Sequence, residues 1–160
     1  MYKQLIICRR DLNMSIGKLL AQASHGSMAF LTKMLTDHVV GEVFQGTGGD
    51  QNFMKQKGVY RVESFDIDKD IYEQWIEGLF TKVVCGAKNK NQLMKAVKMA
   101  EEMGLKEGQE YFLIRDACLT ELEPEEFDEN GIGRTITCIG FIPMEAEKIE
   151  KISKKFQLLK

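Results

Sequence analysis

The stretch Y-K-Q-L-I-I-C (Tyr2–Cys8), followed by R-R-D-L-N-M-S-I-G-K-L-L-A-Q-A-S-H (Arg9–His25), decides the fold. Its first part is short, apolar and closed by charge, which suits a buried strand better than a helix. Asp11 to Ser15 then turns the chain. Asn13 or Ser15 can cap the helix that follows, a side-chain oxygen meeting the orphan amides of its first turn. Within that helix Lys18, Gln22 and His25 stand four and then three residues apart, so they share one face. Leu19, Leu20, Ala23, Phe30 and Leu31 lie largely on other faces and can supply the packing. A strand leading directly into a helix places the first helical turn at the carboxyl end of the strand, where ligands bind in open α/β sheets. A polar stripe of three residues is also what an ordinary solvated helix face looks like, so the rest of the chain must decide.

Working outward, the helix should run to about Asp37 or His38. From Val39 to about Ile71 the chain is glycine-rich, and only G-V-Y-R-V-E-S-F-D-I-D alternates like a strand. This predicts a mobile loop with one added strand, inserted between the first helix and the second main strand. Within it G-T-G-G-D lacks the spacing of a phosphate-binding loop. F-T-K-V-V-C (Phe80–Cys85) reads as the next strand. Asn89 or Asn91 caps an amphipathic helix with Leu93, Ala96, Val97, Ala100 and Met103 at helical spacing and Gly104 as its stop. Tyr111 to Ile114 and Thr135 to Ile142 are strands three and four, separated by the acidic loop E-L-E-P-E-E-F-D-E-N-G, and Pro143 opens a last helix to about Ser153. The expected fold is α/β: one domain over 1–160, a four-stranded mixed sheet in the order β-α-β-α-β-β-α, with helices on both faces.

The chain has 160 residues, enough for one domain with a real core. A net charge of -2 argues against a wholesale nucleic-acid coat, because non-specific phosphate binding grows with the number of Lys and Arg contacts. Local basic patches remain possible. Cys8, Cys85, Cys118 and Cys138 show neither a C-x-x-C pair nor zinc-ligand spacing, and they read as reduced thiols. With no leader pattern at Met1 and no apolar run near membrane-span length, a cytoplasmic protein is expected.

A second candidate locus is Asp116 and Thr120, at the end of strand three and in the loop after it. A carboxylate and a hydroxyl in D-A-C-L-T can also be a plain turn cap and its partner. Asp116 would share an edge with Lys18 if strands one and three pointed the same way. The short link from strand three to strand four suggests an antiparallel pair, so spacing alone does not bring the two together.

Taken together, these segments resemble type-II peptidyl-tRNA hydrolases: the first strand with R-R-D-L-N-M-S-I-G-K-L-L-A-Q-A-S-H, then W-I-E-G-L-F-T-K-V-V, I-R-D-A-C-L-T-E, T-I-T-C-I-G and F-Q-L-L-K, in that order. The resemblance implies hydrolysis of the ester joining a peptide to the terminal ribose of tRNA, with no metal or organic cofactor, by a protein that is usually a homodimer. Carried over by position, it implies site roles for Lys18, Gln22, His25, Asp116 and Thr120. Lys18 would stabilise the oxyanion, Asp116 would take a proton from the attacking water or hold it in line, and Gln22 and Thr120 would orient groups. His25 is expected to make a structural hydrogen bond rather than to act as a base. Phosphate contacts would fall to Arg9, Arg10, Lys18, Lys82, Lys88 and Lys90, with the C-terminal lysines as a further patch.

The chain also departs from the family pattern. Where the family usually has D-A-G-R-T-Q, this chain has Asp116-Ala117-Cys118-Leu119-Thr120-Glu121, which removes a basic side chain and replaces an amide with a carboxylate. Two alternatives follow. One is a catalytically inactive relative kept as an RNA-binding or protein-interaction module. The other makes Cys118 a nucleophile with His25 as its base.

Overall fold

The computed structural model describes residues 1–45 and 57–159. The stretch G-T-G-G-D, with its neighbours through 56, lies outside the described residues. Two compact units are present, Met1–Phe30 with Ile67–Lys160, and Leu31–Asp66.

In the larger unit, β1 (Tyr2–Arg9) forms because an unbroken apolar run can be buried on both faces. Leu5 and Ile7 point into one cluster with Leu93, Ala96, Ile149 and Ile152, whereas Ile6 and Cys8 join Cys138, Leu19 and Ala23 on the other. Helix α1 (Ile16–Asp37) therefore covers one face of the sheet, and α3 (Lys90–Glu102) and α4 (Ala146–Ser153) cover the other. The remaining strands are β4 (Lys82–Ala87), β5 (Tyr111–Asp116), β6 (Glu126–Phe127), β7 (Gly133–Phe141), β8 (Met144–Glu145) and β9 (Gln157–Leu158).

The main sheet runs β5-β7-β1-β4-β9, with β6 added to β7 and β8 to β1. The expected mixed α/β sheet is present, but it has seven strands, not four. The three additional strands are two residues long, too short to show any periodicity. β1 and β4 are parallel, as a right-handed crossover requires. β7 is antiparallel to both β1 and β5, so the two reversals cancel and β5 points the same way as β1. Arg9, Ala87 and Asp116 accordingly end on one edge.

Local signals explain the helix ends. Asn89 accepts from the Gln92 amide at 2.9 Å and caps α3. Gly104, at φ 77°, stops it, and Leu105 N–H returns to Ala100 O at 2.9 Å. A helical segment that the apolar pattern does not announce precedes β4: α2 (Lys69–Ile71) continues as a π-helical stretch, Tyr72–Leu79. It is anchored by Trp75, 1% exposed, which packs on Phe30 and Phe80 and donates to Thr81 O at 2.9 Å.

In the smaller unit, β2 (Val39–Gln45) and β3 (Lys57–Val62) pair as an antiparallel ribbon. Two strands, rather than the single one expected, occupy this region. His38 Nδ1 lies 2.7 Å from Met34 O, and its ring packs near Phe65.

Candidate active site

The first turn of α1 has no acidic residue of its own. Ser15 caps it, accepting from the Lys18 amide at 3.3 Å. The missing carboxylate arrives from the loop after β5. Glu121 accepts from Ser15 N–H at 2.9 Å and from the Ser15 hydroxyl at 2.5 Å. These bonds from Ser15 hold the Glu121 carboxyl below its ordinary pKa, and a negative group there also complements the helix dipole.

Two turns further on, α1 touches the sheet backbone to backbone. A Cβ placed on Gly140 would stand 2.0 Å from Gly26 O, and one on Gly26 would meet Ile6 Cγ2 at 3.3 Å. This approach buries Gln22 to 2% exposure between helix and sheet. A buried primary amide must have partners for both ends. The Thr137 hydroxyl donates to Gln22 Oε1 at 2.6 Å, and Gln22 Nε2 donates to Asp116 Oδ2 at 2.8 Å. Thr137, itself fully buried, thereby sets which end of the amide faces the carboxylate.

Lys18 Nζ donates to the same Asp116 Oδ2 at 2.8 Å and to Thr120 Oγ1 at 3.1 Å. The two charged side chains retain 14% and 12% exposure, so the pair is partly buried yet reachable. Burial raises the Asp116 pKa, but the Lys18 hydrogen bond, the Cys118 N–H, the Lys18 charge and the Gln22 amide outweigh it, and the carboxyl sits below its ordinary value. A carboxylate so held is a weak base and a firm anchor for an ammonium.

Of the residues expected at the site, Lys18, Gln22, Asp116 and Thr120 converge. His25 lies about 10 Å along the helix from Lys18, at 1.5 Å per residue. It is exposed and makes no side-chain hydrogen bond among the described residues, so the structural bond expected for it is absent there. Arg9 is 4% exposed. Asp11 accepts from its Nε and Nη2, Glu125 and Ile136 O accept from its Nη1, and Glu125 Oε1 stands 2.7 Å from Nη2 as an ion pair. The buried guanidinium is thus committed to internal partners rather than to phosphate. Lys82 begins β4 and so stands at the opposite edge of the sheet, its ammonium 3.2 Å from the Phe80 ring centroid and 4.7 Å from that of Trp75. Burial pushes its pKa down. Arg10 and Lys88 are exposed on the site edge, and Lys90 pairs with Glu125 at 3.0 Å.

The acidic loop thus spends Glu121 on Ser15 and Glu125 on Arg9 and Lys90, which reduces the repulsion it would offer an anion. Cys118 adopts φ 54°, where a side chain is strained, and its Sγ contacts Asp116 O at 3.5 Å rather than a histidine. Two contributors were not anticipated, Thr137 and the Ser15–Glu121 clamp. A hydroxyl within the apolar run of β7 was the one available signal for Thr137.

Known proteins match the chain over nearly its whole length. The chain is 32% identical to the peptidyl-tRNA hydrolase of Methanopyrus kandleri over 161 residues, covering 100% of both chains. It is 26% identical to that of Thermoplasma acidophilum, covering 98% of this chain and 97% of the relative. With a Methanococcus maripaludis peptidyl-tRNA hydrolase it shares 31% identity over 160 residues, 99% of this chain and 100% of the relative. The model of the family described as peptidyl-tRNA hydrolase PTH2 matches residues 2–159, and the chain belongs to that family.

Proposed function

We propose that this protein hydrolyses the ester between a peptidyl or N-blocked aminoacyl group and the terminal ribose of tRNA, releasing free tRNA. The observation that carries the reading is the convergence of Lys18, Asp116, Thr120 and Gln22 at the carboxyl edge of the sheet, within a chain of this family. Water attacks the ester carbon, and Lys18 stabilises the oxyanion that develops. Asp116, held ionised, aligns the water, and the proton that the water loses passes to the departing ribose oxygen as the C–O bond breaks. Thr120 orients the water or the ribose, and Gln22 keeps the carboxylate in place. Arg10 and Lys88 supply phosphate contacts on the same edge.

The test is release of the acyl group from N-acetyl-aminoacyl-tRNA by the purified protein. Turnover by the parent chain and its loss in Lys18→Ala, with an unchanged circular dichroism spectrum, is the expected result. Salt-dependent tRNA binding without turnover would instead identify an inactive binding module. The same reading places the protein in the cytoplasm, where charged tRNA is made, and carries the homodimer implied by the resemblance, which light scattering on the purified chain tests. Among the described residues no helix is long and apolar enough to cross a membrane.

A further inference from the structure

On the face of the sheet opposite α1, a groove of about 500 Å³ lies between α3 and the turn that joins α4 to β9. Its rim carries Lys95, Lys98 and Lys155, and Met99 and Phe156 line it. Lys98 stands 4.0 Å from Glu102, the one acidic residue of the lining. Lys95 and Lys155 are exposed and make no ion pair among the described residues. Surface lysines are ordinary; lysines from separate elements gathered around one groove with a single counter-charge are less so.

The position of the groove gives it meaning. β9 pairs with Cys85 and Gly86, near the carboxyl end of β4, so Lys155 comes to the edge that holds the candidate active site. Gln92, in the groove wall, accepts from the Lys88 amide at 2.5 Å, which fixes the loop carrying Lys88 beside it. Arg10 lies over Gly86 on the α1 side of β4, its Cδ 2.6 Å and Leu159 Cδ1 3.3 Å from where a Gly86 Cβ would be. From Asp116 on β5 to β4 is three strand steps, about 14 Å at ~4.8 Å per step. Cations therefore continue from Arg10, around the carboxyl end of β4, through Lys88 to Lys95, Lys155 and Lys98, the last standing 4.0 Å from Glu102.

We infer that these five side chains form one phosphate track, and that the RNA stem behind the scissile ester leaves the site across β4 and β9 into the α3 groove. The inference rests on the tRNA substrate proposed above. An open, spaced row of ammonium and guanidinium groups matches repeating backbone phosphates, whereas a single small anion would need converging donors. The groove charges serve affinity and orientation and make no contact with the reacting atoms.

The experiment compares the parent chain with Lys95→Glu/Lys155→Glu on two substrates, N-acetyl-aminoacyl-tRNA and the same acyl group on a CCA trinucleotide that lacks the stem. For the full tRNA, KM should rise about tenfold or more and the slope of log affinity against log salt should fall by about 2, at ~0.9 per lost phosphate contact. Trinucleotide turnover should stay at the parent rate. Lys95→Arg/Lys155→Arg should restore the tRNA KM. An unchanged KM and salt slope overturns the track, and so does an equal loss on both substrates, which would place these lysines in support of the site or the fold. If the parent hydrolyses neither substrate, the enzymatic reading fails by itself, and fluorescence anisotropy with deacylated tRNA decides the track: a slope unaffected by the double substitution overturns it. Equal competition by polyglutamate or anionic vesicles would also overturn it, by showing a general anionic surface.

Discussion

Gly26 and Gly140 meet without side chains between them, the Gly26 carbonyl lying where a Cβ on Gly140 would have to stand. The contact seats α1 on β7, and every distance in the candidate site depends on it. Gly140→Ala should therefore unfold the protein or cost about 3 kcal/mol or more in chemical denaturation, since the clash is with backbone that cannot rotate away. A loss within about 1 kcal/mol would show that the helix can ride up freely.

Lys18→Ala should lower kcat by about 100- to 1000-fold, the usual cost of removing one oxyanion donor, with KM for tRNA changed much less. A larger effect on KM than on kcat would recast Lys18 as a phosphate ligand.

Acid should act through Asp116. Its carboxyl lies below the ordinary value of 3.8, so its contribution to stability is complete above that value and is lost as pH falls through the lower folded pKa. Denaturation midpoints of the parent and Asp116→Asn should therefore differ by a constant amount from neutrality down to about pH 4 and converge below it. An activity profile with its acid limb near pH 6 would contradict an anchored carboxylate.

Thr137→Val removes the donor that orients the buried Gln22 amide. Leaving Gln22 Oε1 unsatisfied should cost about 1–3 kcal/mol and lower kcat, whereas Thr137→Ser should retain both. Full activity in the valine variant would mean that Gln22 holds its orientation unaided.

Cys118→Gly should relieve the left-handed backbone. The gain is about 1 kcal/mol at most, because glycine also loses more entropy on folding. Activity should survive both this substitution and thiol alkylation, and loss of turnover in each would revive Cys118 as a nucleophile.

The four long strands and the two longest helices of the larger unit were legible because each carries a signal local in sequence: the apolar run of Tyr2–Cys8, the Asn89 cap, the Gly104 stop. The π-helical stretch at Tyr72–Leu79 was not, since its seat is the burial of Trp75 against the distant Phe30. In the site, Lys18, Gln22, Asp116 and Thr120 were named from motif and resemblance, and spacing alone could not say that they meet. Arg9 looked like a phosphate ligand because a charge in R-R-D gives no hint of Glu125 folding back from 116 residues away. Lys82 failed for a different reason: it opens its strand rather than closing it, so the sheet carries it to the far edge.

The cancellation of two reversals between β1 and β5 has an evolutionary corollary. What must be preserved is parity. The hairpin joining β5 to β7 can accept insertions, as its acidic stretch suggests, because lengthening a loop leaves strand polarity alone. Adding or deleting a single full strand between β5 and β1 would invert Asp116 and strand it a sheet's height from Lys18. Descendants of this scaffold are therefore free to remodel that hairpin while remaining locked in the evenness of the pairings beneath it.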